Sequence, residues 1–169
     1  LNNCIDTTFV STAGKYIALF ENSLKKIIKS KNIIAVVNGT VALKICLEVL
    51  GIKRGYEVLV PSLTFVGTVN SIKHAGAIPH FIDSDIENFG IDNKKLEEYL
   101  KRITIKKNGI LINRKTKRRI FAIIPVHIFG NIGEIIKLKK ICRKYNLKII
   151  EDAAEALGSF FQNTHAGNF

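Results

Sequence analysis

Short continuous apolar runs alternate along this chain with longer segments whose apolar residues recur at helical spacing, and that alternation restricts the fold most. Ile33 to Val37 is an apolar run broken by Asn38-Gly39, and Val41 to Leu50 follows as a helix ended by Gly51. Lys44 and Glu48 are the only charges in that helix, which predicts a narrow solvent face and a mostly buried element. Glu57 to Val60 reads as a strand stopped by Pro61, Phe65 to Ala75 as a helix capped by Gly76, and Ile78 to Ile82 as a third strand ending at Asp83. Asn93 to Ile103 is amphipathic, with Leu96, Tyr99, Leu100 and Ile103 on one side. Ile110 to Asn113 and Ile120 to Val126 flank a basic turn and read as a hairpin. Gly133 to Tyr145 is another helix, with Ile135, Leu138, Ile141, Cys142 and Tyr145 inward, and Lys148 to Ile150 leads into Asp152. The βαβα order predicts the α/β class: a mostly parallel sheet between helices. There are no repeats and no linkers, so the residues form one domain or most of one.

The 169 residues suffice for one domain with its own core. At 47% apolar they contain no run long enough to span a membrane and open with no signal-peptide pattern, which predicts a cytoplasmic protein. The sequence has no Met and starts at Leu1, and it stops just past a turn at Gly167-Asn168-Phe169. Both features predict a piece of a longer polypeptide. A net charge of +12 raises nucleic-acid binding as a different class of function. The densest basic run, Arg114 to Arg119, lies between two strand-like runs and reads as a charged hairpin tip, and no aromatics interleave it as a stacking platform requires. Cys4, Cys46 and Cys142 are far apart, with the last two among apolar neighbours on helices; they read as buried free thiols in a reducing compartment, and no Cys/His spacing suggests a metal.

Several residues at the strand ends could carry chemistry. Asp152 closes an apolar strand where open α/β sheets bind ligands. A carboxylate buried there wants a cation, such as the protonated ring nitrogen of pyridoxal phosphate, or else it caps the next turn. Asn38-Gly39-Thr40 joins a strand to a helix and offers backbone N–H groups to a phosphate, or serves as an ordinary N-cap. Phe65 follows the second strand and either lies on a cofactor ring or packs into the core. His127 ends a strand on the same edge, where a satisfied structural histidine competes with a catalytic one. Glu155 either faces the Asp152 pocket or is solvated; His74, His80 and His165 are scattered and suggest no site.

Taken together, Val37-Asn38-Gly39-Thr40-Val41-Ala42-Leu43, Val60-Pro61-Ser62-Leu63-Thr64-Phe65-Val66, Gly76-Ala77-Ile78-Pro79, Pro125-Val126-His127 and Glu151-Asp152-Ala153-Ala154-Glu155-Ala156-Leu157-Gly158-Ser159 resemble the DegT/StrS family of pyridoxal-phosphate-dependent nucleotide-sugar aminotransferases, over nearly the whole chain. Asn108-Gly109 through Arg119 further resembles the subgroup that aminates C4 of UDP-linked 4-keto-6-deoxy-N-acetylhexosamines, precursors of the bacillosamine or legionaminic acid type.

The resemblance implies the large domain of the fold-type I, aspartate aminotransferase-like transferases, here incomplete. Residues 1–169 would be part of that cofactor-binding domain, without the natural start and the small C-terminal domain. It implies that Gly39 and Thr40 hold the cofactor phosphate, Phe65 stacks on the ring where many relatives have Trp, and Asp152 pairs with the pyridinium nitrogen. Glu155 stands where many relatives have Gln or His near the ring hydroxyl, and Phe9-Val10-Ser11 resembles a segment near the substrate mouth. Asn131-Ile132-Gly133 departs from a turn that often has Pro, a change of structural import only. The family's Schiff-base lysine would lie beyond Phe169, so no lysine of this chain takes its role and the piece alone would not turn over. The implied partners are a nucleotide sugar and an amino-acid donor, glutamate above all, in a homodimer. Relatives with histidine in place of the lysine dehydrate the sugar instead, and a catalytically dead or regulatory homologue is a third reading.

Overall fold

The computed structural model describes residues 1–9, 11 and 14–169. Two helices open it, α1 (Asn2–Asp6) and α2 (Lys15–Ile28). Helix α2 is amphipathic but buries none of its residues, and Leu19 and Phe20 are more than half exposed. The strand expected at Ile33 to Val37 is not formed: Ile34 is 80% and Val37 83% exposed. An apolar run favours extended backbone, but a strand also needs a neighbour for its N–H and C=O groups. Among the described residues none pairs with this stretch, and Ala35 N–H donates instead to the Glu21 carboxylate at 2.8 Å.

Helix α3 (Gly39–Val49) starts at Asn38, whose Oδ1 accepts from the Val41 N–H at 2.9 Å, an N-cap. The expectation that it is mostly buried, with a narrow solvent face, is wrong. Only Leu43 and Leu47 are buried, while Ile45, Val49 and Cys46 are exposed, because the helix packs through a single stripe. Strand β1 (Glu57–Pro61) is buried throughout. Helix α4 (Val66–His74) begins just after Phe65, which takes the N-cap position, and Gly76 then turns the chain at φ +74° into β2 (Ile78–Ile82). Asp92 caps α5 (Asn93–Ile103) through the Lys95 N–H at 2.9 Å.

The hairpin is not where the basic turn predicts it. Strands β3 (Thr104–Lys107) and β4 (Ile110–Asn113) pair antiparallel around Asn108-Gly109, both at positive φ, as a tight hairpin turn needs. Arg119, just before strand β5 (Ile120–Ile123), meets Ile112 of β4 at an isolated antiparallel bridge, and β5 itself belongs to the main sheet. Arg119 stacks over the Tyr56 and Phe121 rings, so one basic residue of that run is committed to packing. Helix α6 (Ile135–Tyr145), β6 (Lys148–Ile149) and a small hairpin of β7 (Phe160–Phe161) and β8 (Thr164–His165) complete the order.

The main sheet runs β2-β1-β5-β6, every pair parallel. Alternation along β1 splits the core in two. Leu59 joins Leu96, Leu100, Leu138 and Ile141 of α5 and α6 on one face. Val58 and Val60 join Leu43, Leu47 and Ile72 of α3 and α4 on the other. The expected α/β sandwich, with helices on both faces of a parallel sheet, is thus present. Burial of a leucine such as Leu47 or Leu100, both fully inaccessible, contributes about 2 kcal/mol. No described helix is long and apolar enough to cross a membrane.

A polar cluster fixes the N-terminal end of the sheet. Glu57, 2% exposed at the start of β1, accepts from His80 Nδ1 at 2.8 Å, Asn113 Nδ2 at 3.0 Å and the Thr116 hydroxyl at 2.5 Å. With Nδ1–H given to Glu57, His80 Nε2 accepts from the Tyr99 hydroxyl at 2.9 Å. The cluster draws on β1, β2, α5, β4 and the basic turn, so it holds the β3–β4 hairpin on the sheet. Burial pushes the Glu57 carboxyl up, but the hydrogen bonds from Thr116, Asn113 and His80 outweigh it and hold it below its ordinary value.

Candidate cofactor site

A cavity of about 400 Å3 lies at the opposite end, outside the C-terminal ends of β1 and β5, and Gly39, Thr40, Phe65, Asp152 and Glu155 all line it. Residues far apart in sequence converge there because parallel strands deliver their C-terminal turns to one edge.

One wall is made of two helix N-termini. Asn38-Gly39-Thr40 starts α3, and Phe65-Val66-Gly67 starts α4. Their first N–H groups have no partners within their own helices and carry partial positive charge. Gly39 does not owe its identity to crowding, since a Cβ there would meet nothing within 4 Å; the backbone is open to a ligand. Gly67 is different: a Cβ would stand 2.8 Å from the Thr40 hydroxyl and 2.9 Å from the Phe65 ring. It therefore lets the two helix starts approach. Phe65 is 72% exposed, which removes the reading of it as a core residue and leaves a ring face free at the cavity.

The same cavity is also lined by two acidic residues, Asp152 and Glu155. Asp152 is 9% exposed, and its main chain is locked beside the end of β5: its N–H donates to Pro125 O at 2.9 Å and its C=O accepts from His127 N–H at 3.0 Å. The Thr68 hydroxyl donates to Oδ2 at 2.6 Å, and Ala154 N–H donates weakly to Oδ1 at 3.3 Å. Among the described residues no lysine, arginine or histidine forms an ion pair with Asp152. A buried carboxylate without a cation is costly, so the site is built for a ligand that brings one. Glu155 lines the cavity too, but its Oε2 already accepts from Phe129 N–H at 2.7 Å. That bond steadies a residue at φ +52°, a left-handed conformation that a phenylalanine adopts at a cost of about 1–2 kcal/mol.

Behind Asp152, Glu151 points to the other side of the strand. Its carboxylate accepts from His127 Nε2 at 2.9 Å, Gly167 N–H at 2.8 Å and Phe169 N–H at 2.7 Å. Burial pushes this carboxyl up, yet His127 and the two backbone donors outweigh it and hold it below its usual value. His127, 2% exposed, thus pairs with a carboxylate, as its structural reading predicts, while also lining the cavity.

Thr68, Gly67 and Glu151 were not anticipated. A Gly-Thr pair inside a helix-patterned segment looks ordinary, and only the 84-residue separation between Thr68 and Asp152 explains the buried hydroxyl. Two scattered histidines also have partners: His80 joins the Glu57 cluster, and His165 Nε2 accepts from Gly158 N–H at 2.7 Å. Phe9 and Ser11 line a separate groove with α1 and α2, and Val10 lies outside the described residues. At Asn131-Ile132-Gly133 the Asn131 side chain accepts from Gly133 N–H at 3.0 Å, a local turn that serves where proline is absent.

A cofactor fits this cavity if it is anionic at one end, cationic at the other and flat between. Pyridoxal phosphate has that form: its phosphate suits the helix N-termini, its ring the Phe65 face and its protonated nitrogen Asp152.

Comparison with known proteins agrees. The model of the DegT/DnrJ/EryC1/StrS aminotransferase family matches residues 1–169. The chain is 38% identical to a GDP-perosamine synthase of Caulobacter vibrioides over 98% of its own length and 40% of that protein's. It thus spans about 40% of the length of this curated relative. Among solved structures, a DegT DnrJ EryC1 StrS aminotransferase from Brucella abortus superposes with a TM-score of 0.86 at 30% identity, covering 98% of this chain and 42% of that one. NtdA from Bacillus subtilis with bound PMP, the amine form of the cofactor, superposes with a TM-score of 0.80 at 29% identity, covering 98% and 35%. The family depends on pyridoxal phosphate. By sequence and by fold, this chain belongs to the DegT/DnrJ/EryC1/StrS aminotransferase family.

Proposed function

We propose that the polypeptide carrying this chain transfers an amino group to C4 of a nucleotide-linked 4-keto-6-deoxy sugar, with glutamate as donor, for cell-surface glycan precursors. The observation that carries the reading is Asp152, buried with no described cation beside it in a cavity that two helix N-termini also line. Asp152 keeps a proton on the ring nitrogen, and the α3 and α4 N-termini with the Thr40 hydroxyl bind the phosphate. Phe65 orients the ring and excludes water from one face. When bound, pyridoxal phosphate supplies the electron sink that amino transfer needs. Glu155 borders the ring through whichever oxygen Phe129 leaves open. The lysine that anchors the cofactor and moves the proton would follow Phe169, and residues 1–169 would be part of the large cofactor-binding domain.

The sugar nucleotide is open to two candidates. The segment from Asn108 to Arg119 suggested a UDP-linked N-acetyl sugar, but Asn113 and Thr116 bond Glu57 at the sheet end remote from the cavity. A relative at 38% identity is named for GDP-perosamine, which makes a GDP-linked 4-keto-6-deoxy sugar the first substrate to test. We also infer a cytoplasmic homodimer. Free cysteines suit a reducing compartment, and the exposed Leu19 and Phe20 of α2 suit an assembly that covers them.

The test uses the full-length protein with pyridoxal phosphate, L-glutamate and, in separate reactions, the GDP- and UDP-linked keto sugars. A visible absorption band of bound cofactor and a glutamate-dependent amino-sugar product by mass spectrometry are expected. Absence of both overturns the proposal; a sugar that loses its C3 hydroxyl without gaining nitrogen replaces it with the dehydratase reading.

A further inference from the structure

Resting on that reading of the cavity, we propose that Thr68 is the positioning residue for Asp152, and that a relay of two hydroxyls from Thr64 through Thr68 sets how firmly Asp152 holds the cofactor's ring proton. Thr68 is 1% exposed on the first turn of α4, and its hydroxyl donates to Asp152 Oδ2 at 2.6 Å. The Thr64 hydroxyl lies 3.0 Å from the Thr68 oxygen and donates to it. Thr64 immediately precedes Phe65, so the relay starts at the turn that presents the aromatic face and ends at the Asp152 carboxylate in the same cavity.

The two carboxylate oxygens are then unequal. Oδ2 is occupied by a short charge-assisted bond, while Oδ1 has one long contact, to Ala154 N–H at 3.3 Å. Oδ1 is therefore the oxygen left for a ring N–H. A donor that is itself a hydrogen-bond acceptor is polarised toward its partner, so Thr64 strengthens what Thr68 gives. The bond does two things. It fixes the carboxylate rotamer, because a buried Thr is restricted at χ1 by its branching. It also withdraws charge from Asp152 and lowers its pull on the ring proton, which keeps that proton on nitrogen. A core threonine with no such role would need only to fill space, and valine fills the same space.

The experiment compares full-length wild type, Thr68→Val and Thr68→Ser, each loaded with ring-15N-labelled pyridoxal phosphate. The readouts are cofactor Kd by visible titration and the 15N chemical shift. Wild type and Thr68→Ser are expected to bind alike and to show a pyridinium-type signal. Thr68→Val is expected to bind about tenfold more weakly, the upper end of the cost of ordering one side chain on binding once Asp152 is no longer held in place, with its 15N signal moved toward neutral pyridine. Circular dichroism and melting of Thr68→Val report whether it is folded, and Thr64→Val, which leaves Thr68 in place, should give a smaller move in the same direction. If wild type binds and Thr68→Val matches it in both Kd and 15N shift, the proposal is overturned while the cofactor reading stands. A Thr68→Ser that behaves like Thr68→Val also overturns it, since the hydroxyl then does not decide. If wild type binds no cofactor, the reading beneath it falls as well.

Discussion

Replacing Glu57 with glutamine should destabilise the protein without touching the cofactor site. The carboxylate receives three hydrogen bonds, from His80, Asn113 and Thr116. Glutamine can keep two of them at its carbonyl oxygen and turn the third around, its amide donating to the Thr116 oxygen. What it loses is charge assistance, about 1 kcal/mol for each bond, or about 3 kcal/mol gross. A neutral amide is cheaper to bury, which returns part of this and leaves about 1–2 kcal/mol net. Glu57→Ala, which strands all three donors, should cost about 3–5 kcal/mol. The pH dependence separates charge from shape. The folded carboxyl lies below its ordinary value of 4.5. A depressed pKa stabilises fully above the unfolded value, and the stabilisation is lost as pH falls through the folded one. Wild type should therefore outlast Glu57→Gln in urea at pH 7 and pH 6, and the gap should narrow as pH drops below about 4.5. Glu151 has the same sign of shift but is common to both proteins, so it cancels in the difference. A gap under about 0.5 kcal/mol at pH 7, within the range of neutral surface changes, or one that does not change with pH, would refute the reasoning.

Two further outcomes follow from packing and burial. Gly67→Ala pushes a methyl to 2.8 Å from the Thr40 hydroxyl and 2.9 Å from the Phe65 ring, so stability should fall by about 1–3 kcal/mol while cofactor Kd rises; unchanged Kd would show that the approach of the two helix starts is not needed. Cys142 is buried with its thiol pushed up to about 12 and Cys46 is exposed, so a thiol reagent at pH 8 should label Cys46 promptly and Cys142 only on unfolding, as peptide mass mapping would show.

Much of the fold was legible where local pattern and tertiary context agree. The bounds of Asn93–Ile103 and Ile78–Ile82 match their patterns, because a strong amphipathic period and a bounded apolar run leave little choice. The misses have physical causes. Ile33 to Val37 has strand composition, but pairing is a property of neighbours, not of a segment. The basic run drew the hairpin to itself, while the Asn108-Gly109 pair, a stronger turn signal, marked the true one. The burial of α3 was overread because apolar residues on all sides of a helix do not say how many neighbours it has. In the site, Gly39, Thr40, Phe65, Asp152 and Glu155 share one cavity as the combined motifs suggested. Thr68 and Glu151 were invisible because their roles rest on contacts across the sheet edge, which no local spacing encodes.

The long reach from Thr68 to Asp152 also sets an order of events during synthesis. Helices α3 and α4 and strands β1 and β2 pack among themselves early in the chain, so the side of the cavity lined by Gly39, Thr40 and Phe65 can form first. Asp152 is translated 84 residues after the hydroxyl it joins, an interval of roughly 4–17 s at ordinary elongation rates. Through that interval the Thr68 side of the cavity waits without its carboxylate, and for its earlier part, until residues 121–124 are made, Val58 and Val60 lack Phe121, Ala122 and Ile124 beside them. The nascent chain therefore passes through a stage in which half a cofactor site and an uncovered strand face its surroundings, the stage at which a holding chaperone has something to grip.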